Sequence, residues 1–376
     1  MSSSSTSTDT IITLSKSLLF SLSSWLTSLS WTEWYTLITL SGITYSVYQL
    51  LKIYTGDADL QVRKALKNLP KDGFKDKIIW IIGASSGIGE YLAYEISKRQ
   101  GIVILSARRV DNLRTVEKQC KQLGAKDTFI LPLDVLDTFA NHQNAVEQII
   151  KKYGRIDYLV NNAGRSQRGL VERTDLTVDK EMFTLNVFGP ISIMKAALPS
   201  LLKQPNGAVI VTTSSVAGKT GSPISSTYSA TKHALQGFID SARMELTYRN
   251  IRFVNICPGP VQSEITMHAF VEKPGEKLNT LQDNTKRMNT DKCAMYMAAA
   301  MYAELPEAWM APQPILLFTY IAQYWKWLYF KVGPNAGEKR VKSFLTGETG
   351  YNSISNVWST LSGSNSNNNN EENKRK

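Results

Sequence analysis

The chain has 376 residues, 43% hydrophobic and 20% charged, enough for one large α/β domain with terminal extensions or for two smaller domains. Its formal net charge of +11 would suit nucleic acid or an anionic membrane. There is no nucleic-acid recognition motif and no interleaving of basic with aromatic residues, so nucleic acid is not expected as a partner.

Residues 1–30 mix polar and apolar side chains. Residues 34–51, WYTLITLSGITYSVYQLL, carry no charge and place aromatics toward both ends. Such a run predicts a transmembrane helix over residues 31–53, with an interfacial or buried helix as the alternative because of its many Ser and Thr residues. A cleaved signal peptide fits poorly, since no basic residue precedes Lys16 and no small-residue cleavage site follows. Lys52, Arg63, Lys64, Lys67 and Lys71 follow the segment, which predicts a cytosol-facing C-terminal domain. The absence of any N-x-[ST] sequon agrees with that orientation. Residues 54–75 read as a linker.

From Lys77 the pattern alternates. The β-branched runs at 77–83, 101–107, 128–134, 155–162, 207–214 and 251–259 read as buried strands, with amphipathic helices near 88–99, 110–123, 138–152, 180–202 and 227–249. Alternation of this kind requires right-handed crossovers, hence a parallel, doubly wound sheet with helices on both faces. Ligands of such sheets bind beyond the carboxyl ends of the strands. Cys120, Cys257 and Cys293 lie far apart, and His142, His233 and His268 form no HExxH or Cys/His ligand pattern. Reduced thiols and no metal are the expectation.

The first strand runs into GASSGIG, in which Gly83, Ser85, Ser86, Gly87, Ile88 and Gly89 form a turn that opens a helix. Glycines there let the backbone approach a pyrophosphate, and the free N–H groups and dipole of the helix start favour its charge. The second strand ends in LSARR. An acid there would bond the adenosine ribose and favour NAD; Arg108 and Arg109 instead offer planar forks for a 2′-phosphate, so NADP(H) is preferred and NAD(H) is the alternative.

The glycine spacing, together with LDV, NNAG and YSATK, resembles the short-chain dehydrogenase/reductase family from about Lys77 to Val261. This chain has Ile82 where members commonly have Thr before the first glycine. The resemblance implies a Rossmann-type sheet in a single catalytic domain over residues 76–345, with Asp134 and Val135 near adenine. It also implies that Asn161, Ala163 and Gly164 lie beneath the cofactor.

Tyrosine and lysine stand one helical turn apart at Tyr48/Lys52, Tyr94/Lys98 and Tyr228/Lys232. A nearby ammonium favours ionisation of a phenol, but the pair matters only beside a nicotinamide. Tyr48 falls in the proposed membrane helix, and Tyr94 on a helix leading away from the sheet edge. Tyr228 follows Ser215 by thirteen residues, the separation found in the family. The resemblance therefore implies a tetrad of Asn186, Ser215, Tyr228 and Lys232, with Tyr228 as general acid or base, Ser215 bonded to the substrate carbonyl and Asn186 holding a water of the proton path. Ser214 is a less favoured partner. CPGPVQSEI resembles the loop beside the nicotinamide amide, with Pro258, Gly259, Val261 and Ser263 as contacts.

Residues 264–290 read as a flap over the substrate. The aromatic run at 314–330 reads as a final strand and helix packed on the core or on a subunit partner, with a membrane-facing surface as the alternative. Residues 346–376 read as a disordered Ser/Asn-rich tail. LSARR, NICPGPVQS and QPILLFTYIAQY resemble the membrane-bound dehydrogenase/reductase short-chain member seven group. That resemblance implies an endoplasmic-reticulum membrane reductase of lipophilic carbonyls such as retinoids or steroids, with a homodimer compatible. A related ether-lipid group and a catalytically silent, dinucleotide-binding membrane scaffold are the other readings.

Overall fold

The computed structural model describes residues 28–276 and 287–346. Expectations for residues 1–27, for 277–286 of the flap and for the tail beyond 346 lie outside the described residues. The chain divides into two compact units, one ending at Thr55 and the other beginning at Gly56.

The first unit holds helix α1 (Trp31–Thr55). Ser30 and Glu33 open it with a reciprocal cap: the Ser30 backbone N–H donates to Glu33 Oε2 (2.8 Å) and the Glu33 N–H to Ser30 Oγ (3.4 Å). The helix over residues 31–53 thus forms, but among the described residues no helix is long and apolar enough to cross a membrane. The reason lies in its hydroxyls. Thr36, Thr39 and Ser46 return theirs to carbonyls one turn back (2.8 Å each), which satisfies them without making the surface hydrocarbon-like.

In the second unit, helix α2 (Leu60–Asn68) occupies the stretch expected to be a linker, because Asp59 caps it at Val62 N and Val62 and Ala65 are buried. Then follow β1 (Ile78–Ile82), α3 (Gly87–Ser97), β2 (Ile102–Ser106), α4 (Val110–Gln122), β3 (Asp127–Ile130), α5 (Phe139–Tyr153) and β4 (Tyr158–Asn161). Next come α6 (Leu176–Phe183), a π-turn (Thr184–Phe188), α7 (Gly189–Leu201), β5 (Ala208–Thr213), α8 (Ser226–Leu246) and β6 (Ile251–Pro258). The chain continues with α9 (Thr290–Tyr302), β7 (Glu307–Met310), α10 (Ile315–Tyr324) and α11 (Lys326–Thr346).

The seven strands are all parallel, in the order β3-β2-β1-β4-β5-β6-β7. Every residue of β1, IIWII, is buried, as a strand covered on both faces requires. One face carries Phe74, Ile79, Ile81, Val103 and Val211 against Leu92, Met297 and Met301; the other carries Ile78, Trp80 and Ile210 against Ile149, Ile193 and Ile239. The doubly wound fold is as expected. Two elements differ: the last strand lies earlier, at 307–310, and the aromatic run after it forms two helices that meet at Trp325. The helix expected over 180–202 runs as continuous helical backbone from Leu176 to Leu201, with a π-turn inserted that carries Asn186.

Candidate active site

The carboxyl ends of β1, β2, β4, β5 and β6 open on one cavity of about 1170 Å³. Its floor begins at the glycine turn. Gly83 adopts φ +83°, and a Cβ there would come 2.9 Å from Ala163 Cα. At Gly89 a Cβ would stand 2.2 Å from Gly83 O, so only glycine lets α3 close on the strand. Ser86 precedes α3 without a side-chain cap, leaving the first N–H groups of the helix aimed into the cavity, whose lining includes Ser85, Ser86, Gly87 and Ile88. Gly89 does not line it; its work is the packing behind.

Arg109 lies across this turn, donating from Nη2 to Ser86 Oγ (2.8 Å) and Ser85 Oγ (3.4 Å), while its Nη1 is 3.6 Å from Glu264. Arg108 Nη1 stands 3.7 Å from Asp134 Oδ2. Both arginines, Asp134 and Val135 line the cavity. The turn after Asp134 is held from below by the buried His142, whose Nε2 is 3.1 Å from Asp134 O and whose Nδ1 is 2.8 Å from Ser192 Oγ. That accounts for one of the histidines without any ligand.

At the end of β4 the structure separates two adjacent asparagines. Asn161 is buried and points away, donating to Pro190 O (3.4 Å). Asn162, one residue on and therefore on the other face, lines the cavity, donates to Gly83 O (3.2 Å) and accepts from Thr213 Oγ1 (3.1 Å). The contact expected from Asn161 thus passes to Asn162. Ala163 and Gly164 line the cavity, as do Pro258, Gly259, Val261 and Ser263 beyond β6.

Ser215, Tyr228 and Lys232 converge on the same space. Ser215 caps a short turn, accepting from Ala217 N (3.1 Å) and donating to Pro258 O (3.2 Å). Ser214 also lines the cavity, but its hydroxyl is engaged elsewhere, donating to Lys232 O (3.3 Å) and accepting from Gln236 Nε2 (2.7 Å). Lys232 Nζ donates to Thr213 O (2.8 Å) and lies 5.7 Å from the Tyr228 ring centre. Burial pushes the lysine down to about 8. Burial also pushes the Tyr228 phenol up, opposed by its hydrogen bond with Ser215 and by the positive charge of Arg168.

Asn186 does not line the cavity. Fully buried in the π-turn, it bridges Arg165 and helix α8: Oδ1 accepts from Arg165 N (3.0 Å), and Nδ2 donates to Arg165 O (2.9 Å) and Thr231 Oγ1 (3.2 Å). The competing tyrosines are engaged elsewhere. Tyr94 donates to Glu90 Oε1 (2.8 Å), and Lys52 sits over the Tyr48 ring in α1.

Sequence reasoning missed Arg168, although NNAGRSQR follows the carboxyl end of β4, where ligand contacts concentrate. It also missed the far wall, built by Phe318, Tyr329, Phe330, Lys339 and Arg340 of α10 and α11. The glycine turn, the open helix start and the two arginines fit a dinucleotide. Among the described residues no group of His, Cys, Asp and Glu could hold a metal ion.

Comparison with known proteins agrees with this geometry. The short chain dehydrogenase family model matches residues 77–273. Dehydrogenase/reductase SDR family member 7 of Mus musculus is 39% identical over 84% of this chain and 95% of its own length, and that of Homo sapiens is 38% identical over 86% and 97%. A Drosophila melanogaster dehydrogenase/reductase SDR family protein 7-like is 31% identical over 72% of this chain and 82% of its own. An alcohol dehydrogenase from the archaeon Thermococcus sibiricus, solved in complex with 5-hydroxy-NADP, shares the fold with a TM-score of 0.53 and 24% identity, covering 63% of this chain and 97% of that one. The chain belongs to the short-chain dehydrogenase/reductase family of oxidoreductases, in the group of dehydrogenase/reductase SDR family member 7.

Proposed function

We propose that this enzyme interconverts a carbonyl and an alcohol on a lipophilic substrate with NADP(H), Tyr228 moving the proton. The observation that carries the reading is the opening of Ser215, Tyr228 and Lys232 into the same cavity as the glycine turn and the arginine pair. When bound, the nicotinamide supplies or accepts the hydride. The chain's own residues do the rest. Ser215, which lines the same cavity as the phenol, orients the substrate oxygen, and Tyr228 gives that oxygen a proton in reduction or takes it in oxidation. Lys232, buried and pushed down to about 8, passes protons inward in the direction of Asn186, whose neighbours Arg165 and Thr231 keep its amide fixed.

The NADP preference is supported by the absence of an acid where β2 ends and by Arg109 bridging to Ser86, which together form a cationic, hydroxyl-bearing pocket for a phosphate. A lipophilic substrate is supported by the wall of Ile315, Phe318, Ala322, Tyr329 and Phe330. The rim beside it exposes Tyr324, Trp325, Trp327 and Phe330 among Lys326 and Lys331, the aromatic and basic mixture that favours a membrane surface, which we take to be that of the endoplasmic reticulum.

Purified protein incubated with NADPH and a panel of retinal, steroid ketones and simple aldehydes should consume the cofactor with at least one of them. Binding of NADPH without consumption across the panel would instead favour a silent scaffold. Protein mixed with vesicles of endoplasmic-reticulum composition should float with them, and failure to do so would remove the membrane from the proposal.

A further inference from the structure

The catalytic helix α8 begins without the cap its own sequence offers. Ser225, at the N-cap position, makes no side-chain cap bond; its hydroxyl donates instead to Gln167 O (2.8 Å). The missing acceptor comes from far away in the chain. Gln167, fully buried, accepts at Oε1 from the N–H groups of Thr227 (2.9 Å) and of Tyr228 itself (3.2 Å). The segment bearing Gln167 is fixed in turn: Gln167 bridges to Phe270, Arg168 N donates to Phe270 O (2.8 Å), and Phe270 N donates to Ser166 O (2.8 Å).

Next to this cap stands Arg168. Its Nη1 donates to Gln167 O (2.6 Å), Ser166 Oγ (3.1 Å) and Ser225 Oγ (3.2 Å), and its side chain lines the cavity with Tyr228. Other described groups also stand near the phenol. Lys232 on its own helix donates to Thr213 O, and Ser215, just past β5, lowers the phenol against burial. Cys257 in β6 is a buried thiol pushed upward and so uncharged. Val178, Met182 and Phe270 give an apolar side, and Asp179 of α6 is taken up by Thr227 Oγ1. His233, one residue past Lys232, also lines the cavity, with Nδ1 2.9 Å from Ser229 O.

We propose that Arg168 is a positioning residue for the reaction: a second fixed cation, held at the start of the catalytic helix by Gln167 and Ser225, that prepares the Tyr228 phenol electrostatically from within the shared cavity. The inference rests on the reading of Tyr228 as the proton-transferring group. The direction found for the phenol agrees, since the Arg168 charge pulls it down against burial. A positive charge at this position would favour the phenolate in every protonation state of Lys232, which is itself pushed down to about 8.

The test reads the phenol directly. Protein labelled with ¹³Cζ-tyrosine is titrated by NMR, the Tyr228 signal being assigned by its loss in Tyr228→Phe. Arg168→Gln keeps donors for Gln167 O while removing the charge, Arg168→Lys keeps the charge, and Arg168→Met removes both. The phenol midpoint is expected to rise by about one pH unit or more in the Gln and Met variants and to return toward wild type in the Lys variant. NADPH binding, followed by fluorescence, should not change in any of them. Identical titration in wild type and Arg168→Gln, including a phenol that stays protonated to the same pH limit in both, overturns the proposal and leaves Arg168 a structural tie. A raised midpoint in Arg168→Lys equal to that in Arg168→Gln overturns it too, because geometry and not charge would then be responsible. Failure of the underlying reading is distinguishable: it would appear as turnover retained by Tyr228→Phe, whatever the titration shows.

Discussion

Replacing Gly89 by Ala should be among the costliest single-methyl additions in the molecule, and its size follows from the packing. The new Cβ would stand 2.2 Å from Gly83 O and 2.6 Å from Asn162 Nδ2, well inside contact distance, and the nearest obstacle is backbone that cannot turn aside. Overpacking of this sort costs about 1–3 kcal/mol. Displacing Asn162 also strains its bond to Gly83 O, about 1 kcal/mol more, for a sum of about 2–4 kcal/mol. At roughly 2–4 °C per kcal/mol for a domain of this size, thermal unfolding should fall by about 5–15 °C. The internal control is Gly237→Ala in the middle of α8, where a Cβ meets nothing within 4 Å and helix propensity favours alanine by about 0.5–1 kcal/mol. Differential scanning fluorimetry measures both, and NADPH fluorescence titration should show affinity lost only in the Gly89 variant. Equal melting temperatures for the two variants would refute the claim that α3 closes on β1 through this glycine.

Tyr228→Phe should bind NADPH as wild type does while losing about 10²–10⁴-fold in turnover, and full activity would reject its role. Arg109→Ala removes the guanidinium from Ser85 and Ser86; NADPH affinity should drop about 10–100-fold while NADH affinity stays level, and equal losses for both would reject a 2′-phosphate pocket there. Lys232 gives a pH signature. Its folded pKa of about 8 lies below the value of an unfolded lysine, so the unfolded chain binds the extra proton between about pH 8 and 10.5, and stability due to this group rises with pH across that window. The stability of wild type relative to Lys232→Met should therefore increase from pH 8 to 10, measured by urea denaturation, and a flat difference would contradict the burial of that ammonium.

Much of this architecture was readable from residue pattern because β1, β4, β5 and β6 are buried on both faces and so appear as continuous apolar runs rich in β-branched residues. β7 escaped notice because EAWM is four residues long and shows neither alternation nor a long apolar run; it exists through pairing with Asn255–Pro258 of β6. Helix α2 carries a legible signal, Asp59 as cap with Val62 and Ala65 facing inward, but its lysines and arginine make the stretch look like a tether. At the site, the glycine turn and the Tyr-Lys pair are local patterns. The choice between Asn161 and Asn162 depends on which strand residue is the last to be covered, and the π-turn at Asn186 depends on Arg165 and Thr231, distant in sequence. The Gln167 cap is of the same kind. In α1 the missing charges and the many hydroxyls pull in opposite directions, and among the described residues no helix is long and apolar enough to cross a membrane.

Asp57, Ala58 and Asp59 run antiparallel along β7, through a bridge from Ala58 to Met310, hydrogen bonds between Asp59 N and Trp309 O (2.9 Å) and between Ala311 N and Asp57 O (2.8 Å), and an Asp59 carboxylate that takes the Trp309 N–H (2.9 Å). These three residues act as a hem on the outermost strand, blocking it from zipping onto another polypeptide. A shortened version of the protein that starts at Gly56 would keep this seam closed, whereas one that starts at Leu60 would leave it bare and prone to sticking strand to strand.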